Sequence, residues 1–315
     1  MVSDNPKFSV VTPTRNRPHL LKRCMSSISR QTFSNYEHII IDDGSDDDTK
    51  EIIDENRSDH LIYFRHENSR GVAASYNTGL KNTKGEFIIF LDDDDEAMPS
   101  LLEKLNDEFS SKGKNVGFII TGIDKVVDRE TGIEKESVVI WPEKFSSREQ
   151  AMIAASSVGN VGVCIRKECF DKVGFYDEKI CFAEDTDLIF RMLRSYEFSA
   201  IKDILVRKHK HSYSQLTSNE NYSTRIRGIE IILQRYKDMI ESLPNLHSVH
   251  HSSYAYLCYK SHMRRKGRKA MLEVIKRNPG RLKSYPDLVS LEMFGTHAGG
   301  TILGVLFKKM KAVSI

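Results

Sequence analysis

Short apolar runs alternate with helix-period stretches over the first 120 residues, the pattern of strand–helix units around a mostly parallel sheet. FSVVTPT (8–14) predicts a buried strand, and Leu21, Cys24, Met25 and Ile28, after Arg17 and Pro18, recur at i, i+3, i+4 and i+7, one face of a helix. YEHIIIDDGS (36–45), LIYFRH (61–66), EFIIFL (86–91) and VGFIITG (116–122) predict further strands. Between them, helices are expected after Asp46–Asp48, whose carboxylates suit the positive end of a helix dipole, over GVAASYNTGLKN (71–82), and from Pro99 through PSLLEKLNDEFSS. Farther on, ESVVIW (136–141), VGVCIRK (161–167) and FSAIKDILVRKH (198–209) predict strands, and DTDLIFRMLRSY (185–196) a helix with Leu188, Met192 and Leu193 on one side. From about Asn219 strand signals cease, and helices are expected near 221–242, 252–277 and 283–311. The expectation is an α/β domain over 1–215 followed by a helical region over 216–315.

Composition narrows the class. Hydrophobic residues make up 39% and charged residues 29% of the 315, which excludes disordered, collagenous and membrane-embedded chains. The 47 Lys+Arg against 44 Asp+Glu leave +3, too little to imply nucleic-acid binding, although acids gather near 42–48 and 92–96 and bases at RRKGRK (264–269) and KKMK (308–311). Five cysteines without a C-x-x-C pair, behind no secretory leader, predict buried thiols in a reducing compartment. No window reaches the roughly 18 apolar residues of a membrane span. A cytoplasmic protein is expected, with TILGVLF beside KKMK (301–311) as a candidate peripheral contact with the inner membrane face.

Ligands of open α/β sheets bind at the carboxyl ends of strands, and three such places here are acidic: Asp42-Asp43, Asp92 to Glu96, and Glu184-Asp185-x-Asp187. Carboxylates concentrated at a strand end suit a hard divalent cation that would hold a diphosphate. An EF-hand is excluded because neither acidic run places a Gly and a twelfth-position Glu correctly, and a dehalogenase-type phosphatase because Glu96 stands where Thr or Val is required.

In order, VVTPTRNRP, HIIIDDGSDDDT, N-x-x-G-V-A-A-S-Y-N-T-G, GEFIIFLDDDDEAMP, FDKVGFYDE and AEDTDLIFRML resemble a non-processive family 2 glycosyltransferase of the GT-A fold over roughly residues 7–215. The resemblance implies inverting, metal-dependent transfer from a nucleotide-sugar, usually a UDP-sugar, to a glycan or lipid-linked acceptor in cell-surface polysaccharide or glycoconjugate synthesis. It places the donor at Thr12, Pro13, Thr14, Asp42, Asp43, Asp92 and Asp93, and Mn²⁺ or Mg²⁺ at Asp94 and His209, with His211 a close neighbour. It makes Asp185 the general base, with Glu184 beside the acceptor. Ala183 stands where the family commonly has Gly, Thr186 where it has an aromatic, and the Q-x-x-R-W signature of processive synthases is absent. The rival readings are a sugar-nucleotide pyrophosphorylase, disfavoured because VTPTRNRP has no glycine for a triphosphate loop, and a degenerate scaffold, disfavoured by intact acidic motifs.

Overall fold

The computed structural model describes residues 5–129, 132–142, 145–211 and 222–280. These fall into two compact units, one within 1–144, 155–179 and 184–213, the other within 145–154, 180–183 and 214–315.

The first unit opens with β1 (Phe8–Thr14), α1 (Pro18–Ser29), β2 (Tyr36–Asp42), α2 (Thr49–Glu55), β3 (Leu61–Arg65), α3 (Val72–Asn82) and β4 (Phe87–Phe90). A two-residue strand β5 (Glu96–Ala97) follows, then α4 (Leu101–Ser111) and the long hairpin β6 (Val116–Arg129) and β7 (Gly132–Val139). Helix α5 (Arg148–Val158) divides between the two units, and the first unit then adds β8 (Val163–Arg166), α6 (Cys169–Val173), α7 (Glu184–Ser195) and β9 (Glu197–Lys210). The strands form one sheet in the order β3-β2-β1-β4-β8-β6-β9-β5, with β7 beside β6. Pairings among β1 to β4 and between β6 and β9 are parallel, and β8, β5 and β7 join antiparallel, so the sheet is mixed.

Every residue of β1 and β2 is buried, as a strand covered on both faces requires. The apolar face read from Leu21, Met25 and their neighbours packs with Ile40 and Ile53 against Leu61 and Tyr63. Each such side chain, fully buried, contributes about 1.5–3 kcal/mol. Trp141 is buried, and its indole donates to the Thr121 carbonyl at 2.8 Å. The thiols of Cys24, Cys164, Cys169 and Cys258 are buried and that of Cys181 is exposed, all five free.

The second unit contains α8 (Tyr222–Arg235), α9 (Lys237–Ser242), α10 (Pro244–Lys260) and α11 (Arg264–Arg277). Two predicted helices are therefore four. Pro244 begins α10, and His262, in the left-handed region with φ 60°, separates α10 from α11. Glu149 accepts the Asn245 and Leu246 amides at 2.6 and 3.1 Å, a carboxylate at a helix start. The acids 46–48 precede α2 and do not form its first turn, and Asp47 accepts the Thr49 amide at 3.1 Å. Helix α5 escaped prediction because AMIAASSV is rich in small residues and lacks an apolar stripe. Among the described residues no helix is long and apolar enough to cross a membrane. The expected helix at 283–311 and the candidate membrane contact at 301–311 lie outside the described residues.

The backbone packs closely where the α3–β4 turn meets β1. The Ser9 hydroxyl donates to Glu37 at 2.5 Å and accepts the Gly85 amide at 2.9 Å. A Cβ at Gly85 would stand 2.6 Å from the Ser9 nitrogen and 2.7 Å from the Phe8 carbonyl carbon, both backbone. Gly85→Ala is expected to cost about 3 kcal/mol, measured as a lowered urea midpoint; an unchanged midpoint would mean that β1 can move aside.

Candidate active site

At the end of β1, Thr12 and Pro13 are buried, and the Thr12 hydroxyl lies 2.9 Å from His38 Nε2. Burial lowers the His38 pKa to about 3, so its ring is neutral. The Thr14 carbonyl accepts the Asp43 amide at 2.9 Å, which fastens the end of β1 to the turn after β2. Asn16 and Asp46 exchange two hydrogen bonds across the same gap, at 2.7 and 3.0 Å.

The two acids after β2 serve that turn. Asp42 has no exposed surface; it accepts the Ser45 amide at 2.8 Å and the Tyr63 hydroxyl at 2.9 Å. Its side chain is thus turned into the β2 turn. Asp43 gathers the 66–71 loop, accepting His66 Nδ1 (2.7 Å), the Ser69 hydroxyl (2.6 Å) and the Arg70 and Gly71 amides (2.8 and 2.9 Å). Burial alone would raise the Asp43 pKa, but these four donors outweigh it and hold the carboxyl below its ordinary range.

Beyond β4 the chain turns at once, with the Asp95 amide donating to the Asp92 carbonyl at 3.1 Å, and then forms β5, which pairs with β9 at Arg207 and Val206. This short strand fixes the four aspartates. Asp93 turns inward, accepting the Thr14 hydroxyl at 2.6 Å and pairing with Arg17 at 2.6 Å; burial raises its pKa to about 7 despite Arg17. It has no exposed surface. Asp92, Asp94 and Asp95 converge instead, each with an oxygen within 4.8 Å of the others'. Asp92 accepts the Tyr76 hydroxyl at 2.5 Å, and Asp94 lies 3.3 Å from Arg17.

Asp95, missed by sequence reasoning, is 1% exposed, and its Oδ2 has no hydrogen-bond partner among the described residues. Burial raises the pKa of both Asp92 and Asp95, and the Asp94 charge raises them further. At a separation of 4.8 Å and an effective dielectric near 20, two carboxylates repel by about 3 kcal/mol. An orphaned oxygen among crowded hard oxygen donors fits a divalent cation of the Mn²⁺ or Mg²⁺ kind.

His209 does not join this group. Its Nε2 lies 2.6 Å from Glu96 and its Nδ1 2.7 Å from Asp128, so both ring nitrogens are occupied. His211 Nε2 is the imidazole atom near Asp94, at 3.1 Å. Residues two apart on an extended chain point to the same side, so spacing alone cannot choose between the two histidines. Lys208, also unforeseen, is a buried cation in the field of Asp95, Asp92, Asp94 and Asp185. Burial lowers the Lys208 pKa, and those four carboxylates more than compensate, leaving it raised.

Glu184 and Asp185 begin α7. Burial, then the Asp185 charge, raises the Glu184 pKa to about 8. Burial also raises Asp185, against the opposing hydrogen bonds of the Thr186 amide (2.5 Å) and hydroxyl (3.2 Å). The Asp185 carboxylate rests on Gly159, where a Cβ would stand 2.4 Å from Oδ2. Ala183, in place of the expected glycine, has φ 67°, a conformation that costs an alanine about 1–2 kcal/mol. Asp187 is fully buried and pairs with Arg191 at 2.9 Å, which ties α7 to the Gly174 and Phe175 carbonyls. Tyr176 donates to Asn160 at 2.8 Å and stacks on Tyr76 with centroids 5.0 Å apart, so one aromatic pair spans from the Asp185 side to Asp92.

The fold resembles a crystal structure of S. aureus TarS 1-349 in complex with UDP-GlcNAc, with TM-score 0.64 and 20% identity over 86% of this chain and 81% of that one. Another, in complex with UDP, gives TM-score 0.56 with 17% identity, 89% of this chain and 91% of that one. The fold class is GT-A glycosyltransferase. A model described as glycosyl transferase family 2 matches residues 9–173, and the chain belongs to that family. An uncharacterized glycosyltransferase of Haemophilus influenzae is 28% identical over 76% of this chain and 80% of its own length. The GalNAc(5)-diNAcBac-PP-undecaprenol beta-1,3-glucosyltransferase of Campylobacter jejuni is 31% identical over 60% of this chain and 66% of its own.

The Asp43 clasp has a pH signature. A folded pKa below the unfolded value stabilises above the unfolded value and loses that contribution as pH falls through the folded one. Asp43→Asn is therefore expected to cost about 2–3 kcal/mol near neutral pH, with the gap to wild type closing in acid. Urea unfolding at both pH values checks this; a pH-independent gap would mean that charge is not what the clasp uses.

Proposed function

We propose that the protein transfers a sugar, with inversion, from a UDP-sugar to a hydroxyl of a glycan or lipid-linked acceptor, in cell-surface polysaccharide or glycoconjugate synthesis. The observation that carries this reading is that the Asp92, Asp94 and Asp95 cluster and the Glu184–Asp185 pair lie in one electrostatic field, since the Asp92 charge raises the pKa of both members of the pair. The nucleotides named with TarS favour a UDP donor, and the name of the Campylobacter relative favours a lipid-linked acceptor.

Asp92, Asp94 and Asp95, with His211 beside Asp94, would hold Mn²⁺ or Mg²⁺. When bound, the cation offsets the negative charge of the departing diphosphate. Asp43 and the backbone after Thr14 border the nucleoside side. The Asp185 carboxylate accepts the acceptor hydroxyl proton as the new C–O bond forms at the anomeric carbon and the bond to the diphosphate oxygen breaks, its electron pair leaving with the nucleotide. Asp185 suits the base because the Thr186 donors favour its ionised form, whereas Glu184 is the member that keeps a proton at neutral pH and can donate it in a hydrogen bond to the acceptor. Lys208 keeps the four carboxylates from expelling one another before substrate arrives.

Chelation by EDTA is expected to abolish release of UDP from UDP-sugars, Mn²⁺ or Mg²⁺ to restore it, and Asp94→Ala to be beyond rescue. Full turnover in excess chelator would remove the metal from the proposal, and formation of UDP-sugar from UTP and sugar-1-phosphate would replace the proposed reaction altogether.

Asp185→Asn is expected to bind UDP-sugar nearly as wild type does, by calorimetry, and to transfer at least about a hundredfold more slowly. Because the Asp185 pKa is raised, the wild-type rate should fall on acidification at a higher pH than an ordinary aspartate would give, and Glu184→Gln should retain that acid limb. Near wild-type transfer by Asp185→Asn would shift the base to Glu184.

A further inference from the structure

Helix α11 (Arg264–Arg277) carries seven basic residues and a single acid, and its first turn holds bases and no acid, against the sign its dipole favours. A helix that tolerates this arrangement on local grounds is spending stability on something outside itself. Gly267, Ala270, Met271 and Val274 form its buried side. At 100° per residue, Arg265, Arg268, Lys269, Leu272 and Lys276 share the opposite side, and all five are exposed, Leu272 at 48%. Arg265, Lys269 and Lys276 have no ion-pair partner among the described residues, whereas Lys266, off that side, pairs with Glu230 at 3.1 Å and Arg277 with Glu241 at 3.0 Å. Three cations on the outer side are thus left without a counter-ion among the described residues. Met263, 39% exposed, adds a second apolar group at the start of the same helix.

We propose that this outer side of α11 docks on an anionic phospholipid surface. Complementary charge identifies an extended anion, and the apolar groups choose between the two that fit. A leucine amid cations can enter the acyl boundary beneath phosphate headgroups. A nucleic acid would instead favour aromatic side chains on which bases stack, and α11 has none. The contact is peripheral, lies within the second unit, and requires neither the sugar donor nor the acceptor to be as proposed above.

The test is co-sedimentation of the full chain with vesicles of phosphatidylcholine alone and of phosphatidylcholine mixed with phosphatidylglycerol. Binding is expected to the mixed vesicles only and to vanish in high salt. The triple variant Arg265→Ala, Lys269→Ala, Lys276→Ala should bind about a hundredfold more weakly, roughly fivefold for each cation removed, with its unfolding midpoint unchanged. Leu272→Ser should weaken binding and leave the salt dependence as it was. Equal binding to neutral vesicles, undiminished binding by the triple variant, or capture of a short RNA duplex in place of vesicles would overturn the proposal.

Discussion

Burying several consecutive carboxylates at the end of one strand is the constraint around which the catalytic unit is arranged. Asp93, Asp94 and Asp95 are each at most 8% exposed, and such a run is tolerable only if its members are separated in direction and each is met by a donor or a cation. The chain does both. Asp93 is turned to Arg17 and Thr14 and becomes part of the β1–α1 junction, while the other three face one another. Arg23 donates to the Asp94 carbonyl at 2.9 Å and to Asp128 at 2.9 Å, and Asp128 in turn holds one side of His209. The cations nearest the cluster thus come from α1 and β9, elements far apart in sequence.

That arrangement explains why a two-residue strand matters. Without β5 pairing to β9, the acidic turn would be an exposed loop, free to let its charges separate into water. With it, the turn is held against the strand that supplies Lys208 and His209, with His211 just beyond its end. The clasp on His209 by Glu96 and Asp128 fixes β9 at that register, and the next side chain on the same side, His211, is then delivered to Asp94.

Most strands of the first unit and its longer amphipathic helices were legible because apolar period and burial coincide there; β1, β2 and α1 are cases in which nothing competes with the pattern. Two of the acidic stations, at Asp42-Asp43 and from Asp92 on, were legible from their position after strands, whereas Glu184-Asp185 opens a helix. What the sequence could not disclose is direction. Four contiguous aspartates look alike in a string, and only the turn sends Asp93 inward and Asp95 toward the cluster. Two histidines separated by one residue on a strand are equally ambiguous, and the choice depended on a pairing partner, Asp128, contributed by a hairpin 81 residues earlier. Lys208 and Gly159 gave no signal at all, because their importance lies in what approaches them through space.

The aromatic pair of Tyr76 and Tyr176 shows how the two acidic centres are kept from acting independently. Tyr76 belongs to α3 and bonds Asp92, while Tyr176 bonds Asn160, the residue next to the glycine on which Asp185 rests. Burial raises both phenol pKa values, so both hydroxyls remain donors at physiological pH. A stacked pair of rigid rings has few alternative packings, and any displacement of the metal-side turn is transmitted as a shift of the surface beneath the proposed base. In the proposed transfer, proton acceptance at Asp185 and charge neutralisation at the aspartate cluster would have to coincide at one anomeric carbon, where an error of about 1 Å can cost a hundredfold in rate. A buried, fully bonded aromatic bridge is the kind of connection that keeps such a distance fixed, and it makes these two tyrosines as much a part of the site as the acids they support.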